Sequence, residues 1–249
     1  MSGHSKWSQI KRQKGAADAQ RGQLFTRLSR EVIIAAKAGG PDPAVNFRLR
    51  LAVQKARDSN MPADNIERAI KRATGGGEGA ELQEVTYEGF GPEGTAIVVE
   101  AATDNRNRTV ADIRNAFTRG GGNLGEAGSV LWNFDLRGVI SVNANGRDPD
   151  EIALTAIDAG AEDVQVDSGT IDVYTAPPDL ERVKKALEDS GVSVASAETA
   201  RVPKTTVVLD DRAAVATLRL VEKLEALDDV QKVYFNAEFD EDVLVSYTS

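Results

Sequence analysis

Apolar residues fall at helical spacing along the first third of the chain, and strand and helical spacing alternate beyond it. From Ala19 to Ala38, Leu24, Phe25, Leu28, Val32, Ala35 and Ala36 recur on one helical face, and Gly39, Gly40 and Pro41 stop the pattern. Asp42 and Pro43 read as the N-cap and first-turn proline of a second helix, with the stripe Val45, Leu49, Ala52, Val53 and Ala56. Asp64 and Glu67 resemble the capping box of a third, which buries Ile66, Ala69 and Ile70 and turns Arg68, Lys71 and Arg72 outward. Thr74 to Gly79, rich in glycine, reads as a flexible linker.

Beyond the linker, Thr95 to Ala102 reads as a strand, Thr109 to Arg119 as a helix and Ser129 to Phe134 as a second strand. That β-α-β unit alone leaves a sheet face uncovered, so it needs a partner. The end of the chain offers one: strand Thr205 to Leu209, helix Asp211 to Leu227 and strand Gln231 to Phe235. Between these halves run strand Gly138 to Val142, helix Pro149 to Ala159, strands Val164 to Val166 and Ile171 to Tyr174, helix Pro178 to Asp189 and strand Val192 to Ala197. The order βαββαβ is the ferredoxin-like arrangement. Gly160 and Gly191 stand where left-handed helix C-caps belong. The expected fold class is therefore α+β multidomain. It comprises a basic arm and three-helix domain over residues 1–79, a discontinuous α/β domain over 80–136 plus 204–249, and an inserted ferredoxin-like domain over 137–203.

Composition narrows the chemistry. With no cysteine and a single histidine among 249 residues, thiolate zinc sites, disulfides and cysteine nucleophiles are excluded, and a zinc site or a serine triad is nearly so. No apolar run approaches the roughly 20 residues of a membrane-spanning helix. The polar, basic start lacks the apolar segment of a secretory signal, so a cytoplasmic protein with no membrane association is expected. The formal net charge is −9, but its distribution is uneven. Residues 1–79 hold fifteen Lys and Arg against seven Asp and Glu, a net of +8, and the remainder is −17. Such asymmetry suggests a basic region that meets a polyanion, joined to acidic domains with other contacts.

The candidate nucleic-acid-binding residues follow from that asymmetry. Lys6, Lys11, Arg12, Lys14 and Arg21, with Arg27, Arg30, Lys37, Arg48, Arg50, Lys55 and Arg57, form a cationic set suited to a phosphate backbone. Arg68, Lys71 and Arg72 on the third helix extend it. Trp7, beside Lys6, can stack on a base or dock onto its own domain, and both readings stand. His4 offers a contact to phosphate or a base edge, set against an ordinary exposed histidine. Thr103 to Thr109 joins a strand end to a helix start, where Arg106 and Arg108 can grip phosphate; alternatively Thr109 caps the helix with Asp112 as its box partner. Asp210-Asp211 and Asp228-Asp229 are better explained by capping and solvation than by magnesium. The glycine-rich stretches Gly89 to Gly94 and Gly120 to Asn123 lack the spacing and lysine of a nucleotide-binding loop. No catalytic residue, metal site, cofactor or small-molecule substrate is indicated.

Met1-Ser2-Gly3-His4-Ser5-Lys6-Trp7, Asn65 to Ile70, Tyr87 to Pro92, Thr103 to Thr109 and Gly128-Ser129-Val130 together resemble the YebC family, in order and over nearly the whole chain. The resemblance implies a three-domain, non-enzymatic cytoplasmic protein, with one α/β domain inserted in another. It leaves the target divided. Bacterial members are described as DNA-binding transcriptional regulators; mitochondrial relatives are translational activators, and some bacterial relatives act on ribosomes stalled at proline-rich stretches. Because no helix announces itself as a reader of base edges, ribosomal RNA is favoured over DNA as partner. A protein-interaction scaffold, using the acidic α/β domains, is the alternative from another class.

Overall fold

The computed structural model describes Trp7, residues 18–75, 82–167 and 170–240, Val243 and Tyr247. Three helices open it: α1 (Asp18–Gly39), α2 (Phe47–Asp58) and α3 (Ala63–Thr74). Leu28, Val32, Ile33, Ala35 and Ala36 of α1 meet Leu49, Ala52, Val53 and Ala56 of α2 and Ile66 and Ala69 of α3 in one apolar cluster, the stripes the periodicity predicts. The caps differ from expectation. Asn46, not Asp42, caps α2: its Oδ1 accepts the Leu49 N–H at 3.0 Å and its Nδ2 donates to the Ala35 carbonyl at 2.8 Å. Asp42 turns the chain before it, leaving Val45 outside the helix and 82% exposed. Pro62 precedes α3 and no side chain caps it, so the Asp64–Glu67 box does not form.

The α/β domain is one antiparallel sheet in the order β3-β1-β2-β9, built from β1 (Gln83–Phe90), β2 (Ala96–Thr103), β3 (Asn123–Leu124) and β9 (Val230–Phe235). Two helices accompany it, α4 (Arg106–Arg119) and α7 (Asp211–Glu225). Ile97 and Val99 of β2, Val233 and Phe235 of β9, Ile113 and Phe117 of α4, and Leu218 and Leu220 of α7 form its core. Val98 and Tyr234, which point to the opposite face, are also buried, and α1 packs against β9. Burial on both faces is why β2 reads as an apolar run interrupted only by the partly buried Glu100 before Thr103.

Of the strand expected at Ser129 to Phe134 only Phe134 is extended, as the first residue of the next strand; before it a turn leads into a 3-10 turn at Leu131–Asn133, held because the buried Glu88 carboxylate accepts the N–H groups of Gly128, Val130 and Leu131 at 2.6, 2.8 and 2.7 Å. The β1 strand replaces it as the neighbour of β2. Its glycine-rich end, which resembles turn chemistry, hides a strand because Gly89 lies against Phe117 and the Asn123 carbonyl, where no side chain fits. The strand expected at Thr205 to Leu209 shortens to β8 (Val207–Val208), paired in parallel with β10 (Ala237–Glu238).

Residues 134–204 form a separate compact unit. It runs β4 (Phe134–Asn143), α5 (Pro149–Asp158), β5 (Asp163–Asp167), β6 (Thr170–Thr175), α6 (Leu180–Asp189) and β7 (Val194–Pro203). The sheet order β5-β6-β4-β7, antiparallel throughout, is the ferredoxin-like topology. Asp148 caps α5, and Gly160 and Gly191 adopt φ of +100° and +80° after the two helices, as their positions predict. In the surrounding unit the two ends of the insertion are tied. Asn133 Oδ1 accepts from the Thr205 N–H at 3.1 Å and its hydroxyl at 2.7 Å, and Asn133 Nδ2 donates to the Thr205 carbonyl at 3.0 Å. Excursion and return thus occur at one point.

Gly122 sets a packing limit, since a Cβ there would fall inside the van der Waals shell of the Phe90 carbonyl oxygen. Gly122→Ala should cost about 1–3 kcal/mol of unfolding free energy by forcing the backbone apart, measured by urea denaturation. An unchanged midpoint would show that the loop moves aside without cost.

Candidate nucleic-acid interface

The cations divide into those held internally and those turned outward. At the junction of helical and α/β domains lies Asp229, 6% exposed just before β9. Arg108 of α4 donates to it through Nη2 at 2.7 and 3.0 Å, and Arg30 of α1 pairs with its Oδ1 at 2.9 Å while also donating to the Asp228 carbonyl. The Thr109 hydroxyl lies 2.6 Å from Asp229 Oδ2 and the Thr103 hydroxyl 3.3 Å. A bulge between Glu100 and Ala101 adjoins this point, and the Asp229 carbonyl accepts the Ala102 N–H at 2.8 Å. Burial works to raise the Asp229 pKa; the hydrogen bonds from Thr109 and Arg108 and the charge of Arg30 outweigh it, leaving the carboxyl below its ordinary value.

This arrangement changes the reading of the segment Thr103 to Thr109. The helix starts at Arg106 and is capped by Asn105, whose Oδ1 accepts the Arg108 N–H at 3.1 Å. Thr109, expected as the cap, is a buried member of the Asp229 cluster. Arg108, expected to grip phosphate, is occupied by Asp229 and by Asp104 at 3.0 Å. Arg30 is likewise committed. Capping and solvation account for Asp210, which accepts the Ala213 N–H at 2.8 Å, but not for Asp229. Its partners lie about 120 residues or more away, so no local pattern announces them. Among the described residues no three His, Asp or Glu side chains gather as a metal site.

Trp7 also departs from the stacking reading. It is 4% exposed in the α/β core, 6.1 Å edge-on from the Tyr247 ring, so of its two readings the structure shows docking onto the protein itself. The Tyr247 hydroxyl donates to Glu222 at 2.6 Å, and burial followed by that contact pushes its pKa up. His4, Lys6, Lys11, Arg12 and Lys14 lie outside the described residues, as does the side chain of Arg21. Arg27 is half-buried on α1, its Nε enclosed.

The outward set is smaller. Arg48 pairs with Glu84, Lys55 with Glu31 at 3.1 Å, and Arg50 donates to the Pro43 carbonyl at 2.8 Å and covers the Phe47 ring. Arg68 is bonded within its own helix to Asn65 and the Asp64 carbonyl. Arg57, Lys71, Arg72 and Arg106 are exposed and, among the described residues, make no side-chain hydrogen bond or ion pair. The first three stand in the last turns of α2 and α3, where cations also complement the helix dipole. Arg106 lies near the enclosed Tyr87 hydroxyl, whose pKa burial raises and Arg106 draws back.

The architecture is thus a cationic helical domain locked to a discontinuous α/β domain that carries a ferredoxin-like insertion. Two family models match it: the TACO1/YebC N-terminal domain over residues 5–76 and the TACO1/YebC second and third domain over residues 82–237. The chain belongs to the TACO1/YebC family. Among its relatives, a probable transcriptional regulatory protein of Dehalococcoides mccartyi is 57% identical, covering 100% of this chain and 99% of that one. One so named from Herpetosiphon aurantiacus is 52% identical over 99% of this chain and 98% of its own. The crystal structure of a conserved hypothetical protein from Aquifex aeolicus has a TM-score of 0.84 at 46% identity, covering 91% of this chain and 94% of that one. No helix among the described residues is long and apolar enough to cross a membrane.

Removing the Asp229 charge leaves two arginines without their carboxylate. Asp229→Ala should lose about 3 kcal/mol, the low end for breaking a buried pair because Arg108 is half-exposed, read by calorimetry. The pH dependence has a definite sign. The folded pKa lies below the unfolded value of about 3.9, so the stabilisation is complete above that value and is lost as pH falls through the folded pKa. Denaturation curves across this acid range should be flatter in Asp229→Asn than in the parent; identical slopes would exclude Asp229 as their source.

Proposed function

We propose that the chain is a non-enzymatic regulator of gene expression that binds nucleic acid through its N-terminal region, with a ribosomal RNA surface as target. The carrying observation is the division of charge: an N-terminal region of net +8 in which Arg57, Lys71 and Arg72 stay unengaged, against a remainder of −17. Cations free of internal partners can neutralise phosphates and release counterions; Arg30 and Arg108 would first have to abandon Asp229.

The α3 surface favours RNA phosphate over base edges in a DNA groove. A recognition helix reads bases chiefly through its N-terminal residues. Here that end carries Asp64 and Glu67, with Arg68 tied to Asn65, and the unengaged Lys71 and Arg72 lie at the far end. Acidic side chains leading into the groove meet the negative potential of the duplex. The names of the relatives from Dehalococcoides and Herpetosiphon favour the second reading, transcriptional control through DNA.

The test is sedimentation with ribosomes across a salt series, alongside binding to random and genomic duplex. Arg57→Gln, Lys71→Gln and Arg72→Gln combined should weaken ribosome binding and flatten its salt dependence by about two units of log–log slope. Neutralising Lys6, Lys11, Arg12 and Lys14 should do the same, and Arg48→Gln should change little. Binding indifferent to salt and to both sets would overturn the reading; strong preference for particular duplex sites would establish the DNA alternative.

A further inference from the structure

The ferredoxin-like domain presents a surface of opposite character. Helix α5 buries Ile152 and Ala156 yet leaves Leu154 and Ile157 61% and 53% exposed. At about 100° per residue, Asp150, Leu154 and Ile157 fall along one outward line, with Glu151 and Asp158 beside it, all exposed. The adjoining β5, against which α5 packs, is an edge strand and exposes Val166. From Asp148 to Asp167 the chain carries seven carboxylates and no Lys, Arg or His.

Single exposed aliphatic residues are ordinary, but two on one helical line, with Asp150, Glu151 and Asp158 beside them and Arg182, which lies against Gly160, already paired with Asp179 at 2.7 Å, suit contact more than solvation. The charge selects the occupant. A nucleic-acid backbone would be repelled, and a second copy of the same face would set carboxylate against carboxylate. A helix with an aliphatic stripe flanked by Lys and Arg satisfies both demands: its stripe covers Leu154 and Ile157 and its cations meet Asp150, Glu151 and Asp158. We propose that the α5 face is a docking site for a basic amphipathic helix of a protein partner. The site uses residues other than the cations of the helical domain and does not depend on which nucleic acid they bind.

The probe is a synthetic helix of about 18 residues, five turns, with leucines on one stripe and Lys and Arg on its flanks. Its controls are the same composition scrambled and a version with Glu for every cation. Titrated into the isotopically labelled full chain, it should shift amide resonances concentrated in 150–158 and 163–166. Leu154→Ser with Ile157→Ser should weaken it about tenfold or more, as loss of central apolar anchors does. Asp150→Asn, Glu151→Gln and Asp158→Asn together should weaken it comparably and remove its salt sensitivity. These residues are exposed, so the variants should melt within a few degrees of the parent. Equal binding of the scrambled helix, shifts spread over all acidic surfaces, or full affinity in the Leu154/Ile157 variant would overturn the proposal. So would concentration-dependent self-association abolished by that variant, since the occupant would then be a second copy.

Discussion

One buried carboxylate joins the helical domain to the α/β domain. Asp229 draws Arg30 from α1, Arg108 from α4 and the hydroxyls of Thr103 and Thr109 onto two oxygen atoms at the head of β9. Taking such a charge out of water is costly, and the multiple donors offset that cost only while all are in place. The first helix, the β2–α4 joint and the final strand are therefore constrained together. The bulge in β2 brings the backbone of the same residue into the sheet, so charge pairing and strand register reinforce one another.

This constraint decides what remains for function. Two arginines that look suited to phosphate are engaged by Asp229, and the tryptophan beside the basic arm is core. What stays exposed without a side-chain hydrogen bond or ion pair among the described cations of the helical domain is a short set at the ends of α2 and α3, while the ferredoxin-like domain shows carboxylates around a small apolar patch. A family and a fold do not by themselves fix a target. The uneven division of charge along the chain does bear on it, because a cationic surface suits a polyanion and an acidic one a basic chain, the two proposals made above.

The helices and the ferredoxin-like order were legible because their information is local. Stripes such as Leu49, Ala52, Val53 and Ala56, the Asp148–Pro149 start and the glycines at 160 and 191 each act within a few residues. The charge division was equally open to counting. Where reading failed, a distant group had intervened. Gly89 looks like a turn until Phe117 and Asn123 close over it, and Ser129 to Phe134 looks like a strand until Glu88 gathers its N–H groups.

The sequence by itself thus determined the helices, the βαββαβ order of the insertion, the α+β class and the two signs of charge, since periodicity and composition are short-range properties. Only the tertiary structure decided which cations are free. Whether Arg106 or Arg108 is engaged in an ion pair depends on an aspartate more than 120 residues along the chain, which only folding brings within reach. The same holds for Trp7, whose burial depends on core residues and on Tyr247 at the other end of the chain.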